Sequence, residues 1–201
     1  MNIQEKMNLQ IDALVIYHFI DLYTKFERCV KELFFQNFHK IESEIQFRFF
    51  YYVGGVFNES KCIEYDTYSV KKEINPFNIN VLKKLSLNQI IKIDRKEQAF
   101  DVFKFGIKSK TKKMLELEFH DCCIKLLQMR NKLAHEFQGL DLEKETIELL
   151  HETQIAGSKD WLEGYELKYM TQQSKQIFSN YIIMEELLEI LLDKKNKDEE
   201  Q

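Results

Sequence analysis

Arg130, Asn131 and His135 fall within six consecutive residues, Arg130-Asn131-Lys132-Leu133-Ala134-His135, of a 201-residue chain. Their types suit proton transfer at a phosphate ester. An imidazole exchanges protons efficiently because its unperturbed pKa lies near neutral pH. A guanidinium stays charged, and its planar fork can hold two phosphate oxygens at once. An amide beside them can orient the imidazole or donate to phosphate. The neighbourhood makes the arginine conspicuous. Phe119, Cys123, Leu127, Ala134 and Phe137 recur at helical spacing, and Arg130 falls on that same stripe. A charge among core-facing positions is costly unless something pairs with it. Such a local conflict is expected at functional sites.

A helix must carry these residues, and its geometry separates them. Five residues place Arg130 and His135 roughly 140° apart in azimuth and about 7.5 Å apart along the axis. Asn131 and His135 share a face at i and i+4. Either the helix loosens near His135, or the arginine and histidine meet through a neighbouring helix or a second subunit.

The hexapeptide Arg130-Asn131-Lys132-Leu133-Ala134-His135 resembles the signature of the HEPN superfamily, an arginine, a polar residue, three further residues and a histidine. The resemblance covers roughly 11–38 and 112–150. It implies an all-α, HEPN-like helical bundle with long amphipathic helices. It also implies a metal-independent endoribonuclease of a toxin–antitoxin, abortive-infection or other phage-defence system. RNA carries its own nucleophile, the 2′-OH. His135 would move the proton, Arg130 would stabilise the phosphorane, and Asn131 would orient the histidine or bind phosphate. The products would be a 2′,3′-cyclic phosphate and a 5′-OH. One histidine is too few for both acid and base. The family's homodimers, with two motifs in one cleft, therefore set the expected assembly. Glu27 resembles the acidic residue that many such domains carry on their first long helix, and it is expected to pair with Arg130. An antitoxin or a nucleotidyltransferase partner would be another chain. The alternative is a non-catalytic interaction and dimerisation module, or a nucleotide-binding regulatory domain using Arg130 and nearby lysines.

Composition fits a globular helical chain. Residues are 44% hydrophobic and 31% charged, enough of each for a core and a wet surface. Six glycines and one proline favour long helices over a turn-rich β architecture. The length is that of one domain, 1–201. A net charge of −4 argues against a surface built for non-specific nucleic-acid binding. The charge is uneven. From Asp141 onward fifteen acids face seven lysines, net −8, which leaves Met1–Leu140 at +4. An RNA surface therefore belongs to the first part. The run Lys104, Lys108, Lys110, Lys112 and Lys113, with Lys132, could draw phosphates without reading bases.

The long helix Ile11–Phe38 follows from Ile11, Val15, Phe19, Leu22, Phe26, Val30 and Leu33. A second helix is expected over Ile41–Tyr52, with an aromatic cluster at Phe47, Phe49, Phe50, Tyr51 and Tyr52 that suits a core better than a base-stacking platform. Residues 56–111 read as an insertion or linker, irregular or briefly β around 56–80. The motif helix is expected from Lys112 to Phe137. Asp141 suits an N-cap for a helix through Ile155. A last helix spans Leu167–Leu192, and 194–201 reads as a charged, frayed tail. Four cysteines without C-x-x-C spacing suggest no disulfide framework or zinc site, and His18, His39, His120 and His151 form no metal motif. His120 beside Asp121 reads as a surface pair. No metal or other cofactor is expected. No signal-peptide core and no run of about 18 apolar residues is present, so a cytoplasmic location off the membrane is expected.

Overall fold

The computed structural model describes residues 2–42, 44–46, 85–108, 116–135, 141–147, 160–162 and 169–199. These residues are mostly helical. Among them, α1 spans Ile3–Asn37, α2 Leu87–Glu97, α3 Phe119–His135 and α4 Gln172–Glu199. One antiparallel pair of short strands, β1 (Gly106–Lys108) and β2 (Glu116–Glu118), sets Ile107 opposite Leu117. No helix among the described residues is long and apolar enough to cross a membrane. The chain gathers into two compact units, Met1–Val30 with Val102–Gln201, and Lys31–Asp101.

The first unit holds the motif. From α1 it buries Ile11, Val15, Phe19, Tyr23, Phe26 and Val30, the steady 3-to-4 spacing that makes one face of a helix apolar. From α4 it buries Ile177, Phe178, Tyr181, Met184, Leu187 and Leu191. α3 packs against α4 and against β2. Asp12 of α1 accepts hydrogen bonds from the hydroxyls of Thr171 and Ser174. Thr171 in turn takes the Ser174 amide, so the start of α4 is capped and tied to α1 by one small polar network.

Phe119 fixes where α3 begins. Its amide donates to the Phe105 carbonyl at 2.9 Å, which extends the β1–β2 ladder by one bond. Its ring stacks on Phe103 at 5.2 Å and meets Phe105 at 4.8 Å and Phe26 at 6.3 Å. The motif helix therefore starts at Phe119 and not at Lys112. Residues 116–118 have their backbone groups in the strand pair, which a helix would also require.

α4 continues through Glu199, past Lys194, where composition predicts a frayed tail. Lys194 explains part of this. Its ammonium donates to the Val102 carbonyl at 2.9 Å and lies 4.7 Å from the Phe105 ring centroid.

In the second unit, Phe34 packs on Phe38 and Phe100 at 5.4 and 5.2 Å. Ser86 and Gln89 form a reciprocal capping box that starts α2. Buried Asp94 ends it by accepting the amides of Ala99 and Phe100 at 3.0 and 2.9 Å. Gln98, in the left-handed region at φ 52°, closes the helix by donating its amide to the Asp94 carbonyl. Of the expected helix Ile41–Tyr52, Ile41 and Glu42 are described and lie outside any helix, with Ile41 extended, and Glu44–Gln46 are helical. Its aromatic cluster and the expected insertion at 56–80 lie outside the described residues.

Candidate functional site

α3 is a single regular helix through His135. Its buried residues are Phe119, His120, Cys122, Cys123, Leu126, Met129 and Leu133. This face is rotated from the one that the sequence suggests. Leu127 is only half-buried and Ala134 is exposed, because α3 packs through Leu126, Met129 and Leu133. Arg130 thus lies on the rim of the buried face and not within it. His120 is buried, in contrast to the surface pair expected with Asp121.

Arg130 is half-buried, and Asn131 and His135 are exposed. The Arg130 guanidinium carbon lies 5.8 Å from the centroid of the Tyr23 ring, within cation–π range. Its Nη1 donates to Asn131 Oδ1 at 3.1 Å. Among the described residues it forms no ion pair. Arg130 and Asn131 are therefore brought together. Among the described residues no hydrogen bond joins His135 to them: the unbroken helix holds it roughly 140° around the axis from Arg130, one turn beyond Asn131 on the same face.

Tyr23 is the site residue that the sequence reading misses. It is 2% exposed, stacks on Phe19 one turn earlier at 6.4 Å, and continues the buried stripe of α1. Its hydroxyl has no hydrogen-bond partner among the described residues. Burial pushes its pKa well up, the Glu27 carboxylate adds to the rise, and the Arg130 guanidinium opposes it. The phenol therefore keeps its proton. Glu27 is half-buried, and both it and Arg130 are close enough to act on Tyr23 electrostatically. The i+4 spacing after Phe19 signals that Tyr23 is buried, but no sequence signal links it to a residue 107 positions away.

Lys132, a candidate RNA contact, is engaged elsewhere. Its ammonium donates to the Asp141 carbonyl at 2.7 Å and to Glu145 at 2.9 Å. The Glu145 side chain is only 9% exposed, so this ion pair is better shielded than a surface one. Lys125 donates to the carbonyls of Lys144 and Thr146. From α4, Asn180 accepts the Ile147 amide at 2.7 Å and donates to the Glu145 carbonyl at 2.8 Å. Ser179 donates to the Ile147 carbonyl at 2.6 Å. These side chains take backbone groups that a helix would need, so Asp141 opens a turn and residues 143–147 are not helical. Buried Ser179 and Asn180 inside an apolar run are the sequence signal for this clamp.

Of the other lysines, Lys104 is exposed and Lys108 lies on β1. Lys110, Lys112 and Lys113 lie outside the described residues. Cys29, Cys122 and Cys123 are buried free thiols. Burial first, and Asp121 second, push Cys122 up to about 12, and burial pushes Cys123 well up as well. Such thiols are poor nucleophiles. Among the described residues no group of three or more His, Cys, Asp or Glu is placed to hold a metal ion.

Compared with protein-family models, curated proteins and solved structures, the chain matches none of them.

Proposed function

We propose that this chain is a metal-independent endoribonuclease of the HEPN type that acts as a cytoplasmic homodimer in defence or growth arrest. The observation that carries this is the state of Arg130. It is a permanent cation, half-buried against an aromatic ring, with no ion pair among the described residues. Buried salt bridges at Arg130 and His135 would instead favour a scaffold. Arg130 has further N–H donors beyond the one given to Asn131, and these suit the oxygens of a phosphorane. His135 is exposed and can reach a substrate.

The reaction uses RNA's own chemistry. The 2′-oxygen attacks the adjacent phosphorus as its proton passes to a base. The bond from phosphorus to the 5′-oxygen then breaks, and an acid protonates that oxygen. A 2′,3′-cyclic phosphate and a 5′-OH result. His135 moves one proton. The corresponding histidine of a second copy moves the other. This division also answers the geometry, since one helix directs Arg130 and His135 to different sides. Asn131 restrains Arg130 through their hydrogen bond. Glu27 adds negative charge near the Tyr23–Arg130 pair. Exposed Lys104, with Lys108, Lys110, Lys112 and Lys113, supplies phosphate attraction, while Lys132 is left out because of its bond to Glu145. An antitoxin or nucleotidyltransferase on another chain would restrain the activity.

Growth on induced expression tests this. Wild type is expected to arrest growth, and His135→Ala at matched level is not. Equal growth with both proteins, without an antitoxin present, contradicts the proposal.

A further inference from the structure

We propose that Tyr23 is a positioning residue of this site, whose ring holds the Arg130 guanidinium in place for an RNA phosphate without consuming its hydrogen-bond donors. This rests on the ribonuclease function proposed above. A carboxylate partner would hold an arginine as well, but it would neutralise the charge and occupy the planar fork. An aromatic face attracts the cation through its quadrupole and leaves the in-plane N–H groups available. The geometry fits this division. Arg130 lies 5.8 Å from the Tyr23 centroid, and one of its N–H groups goes to Asn131 on its own helix.

The platform is itself fixed. Tyr23 is stacked on Phe19 and set in the buried stripe of α1, between Phe19 and Phe26. A ring with so little freedom holds its guanidinium in a narrow range of positions. Pre-organisation of this kind raises turnover more than it tightens substrate binding. The hydroxyl has no part in it, because it lies buried without a partner among the described residues. The ring is what matters, so phenylalanine is expected to replace tyrosine.

The test compares wild type, Tyr23→Leu, Tyr23→Phe and Arg130→Ala for cleavage of a single-stranded RNA oligonucleotide. The Arg130 Nε–H resonance of each folded protein is recorded alongside. Tyr23→Leu is expected to lower kcat by about tenfold with little change in KM, the scale of one cation–π contact. Tyr23→Phe is expected to restore it. The Arg130 resonance is expected to carry the ring's shielding in wild type and Tyr23→Phe, and to lose it in Tyr23→Leu. Full activity in Tyr23→Leu beside an inactive Arg130→Ala overturns this proposal alone. An Arg130 resonance that ignores the loss of the ring also overturns it. Full activity in Arg130→Ala, or no cleavage by wild type, overturns the ribonuclease function and this proposal with it.

Discussion

The guanidinium of Arg130 lies over the ring of Tyr23, 107 residues earlier in the chain, at 5.8 Å from its centroid. The contact joins the motif helix α3 to the buried stripe of α1. It gives a half-buried charge a partner that leaves the charge intact. It also leaves the tyrosine hydroxyl buried and unpaired among the described residues.

That hydroxyl leads to a first prediction. A buried donor with no partner costs about 1–3 kcal/mol in desolvation. Tyr23→Phe removes the cost and keeps the ring. Its urea midpoint is expected to equal or exceed that of wild type. A clear drop in stability would mean that the hydroxyl is bonded within the folded protein.

Asn180 supports a second. Its side chain makes two short hydrogen bonds to the backbone of the 145–147 segment and is fully buried. Asn180→Ala orphans a buried amide and a carbonyl, so it should cost roughly 2–4 kcal/mol. Chemical denaturation measures this. A loss below about 0.5 kcal/mol, the range of ordinary surface changes, would contradict the clamp.

Lys132 distinguishes structural from RNA-binding cations. Lys132→Ala should lower stability by about 1 kcal/mol, because the pair with Glu145 is partly shielded. The salt dependence of RNA binding should be unchanged. A slope reduced by about one unit would return Lys132 to the RNA surface.

Alkaline stability follows from the buried acids. Cys122 rises from the ordinary 9.0 to about 12 on folding, and Cys123 and Tyr23 are also raised. Each raised group stabilises the fold fully below its unfolded pKa, and that contribution is lost as pH climbs towards the folded value. Between about pH 9 and 12 the unfolded chain has released protons that the folded chain retains. Stability should therefore fall as pH rises through this window. Cys122→Ala should flatten the fall measured by denaturation at stepped pH. An alkaline limb identical to wild type would contradict this assignment.

The helical class was legible because α1 repeats apolar residues every three or four positions from Ile11 to Leu33. A periodic stripe of that length has few other uses. The start of α3 was less legible. Lys112–Leu115 continue a helix-friendly composition, while the strand pairing of 116–118 depends on residues ten positions earlier. The face of α3 was misjudged by part of a turn, since Leu126 and Leu127 are equivalent as letters and only packing separates them. Asp141 carries a true capping signal, yet side chains from α3 and α4 hold 143–147 out of the expected helix, whose remainder at 148–155 lies outside the described residues. At the site, the sequence set Asn131 to orient His135 or bind phosphate, whereas its side-chain oxygen accepts from Arg130, its immediate neighbour. The Tyr23 platform was not legible, because a tyrosine on a buried stripe reads first as core.

RNA cleavage in EDTA by purified wild type, Arg130→Ala and His135→Ala, with analysis of the product ends, tests the central claim most directly. Cleavage by wild type alone, leaving 2′,3′-cyclic phosphate and 5′-OH ends, is the predicted result. Equal cleavage by all three proteins, or none by wild type across several RNAs, would contradict it.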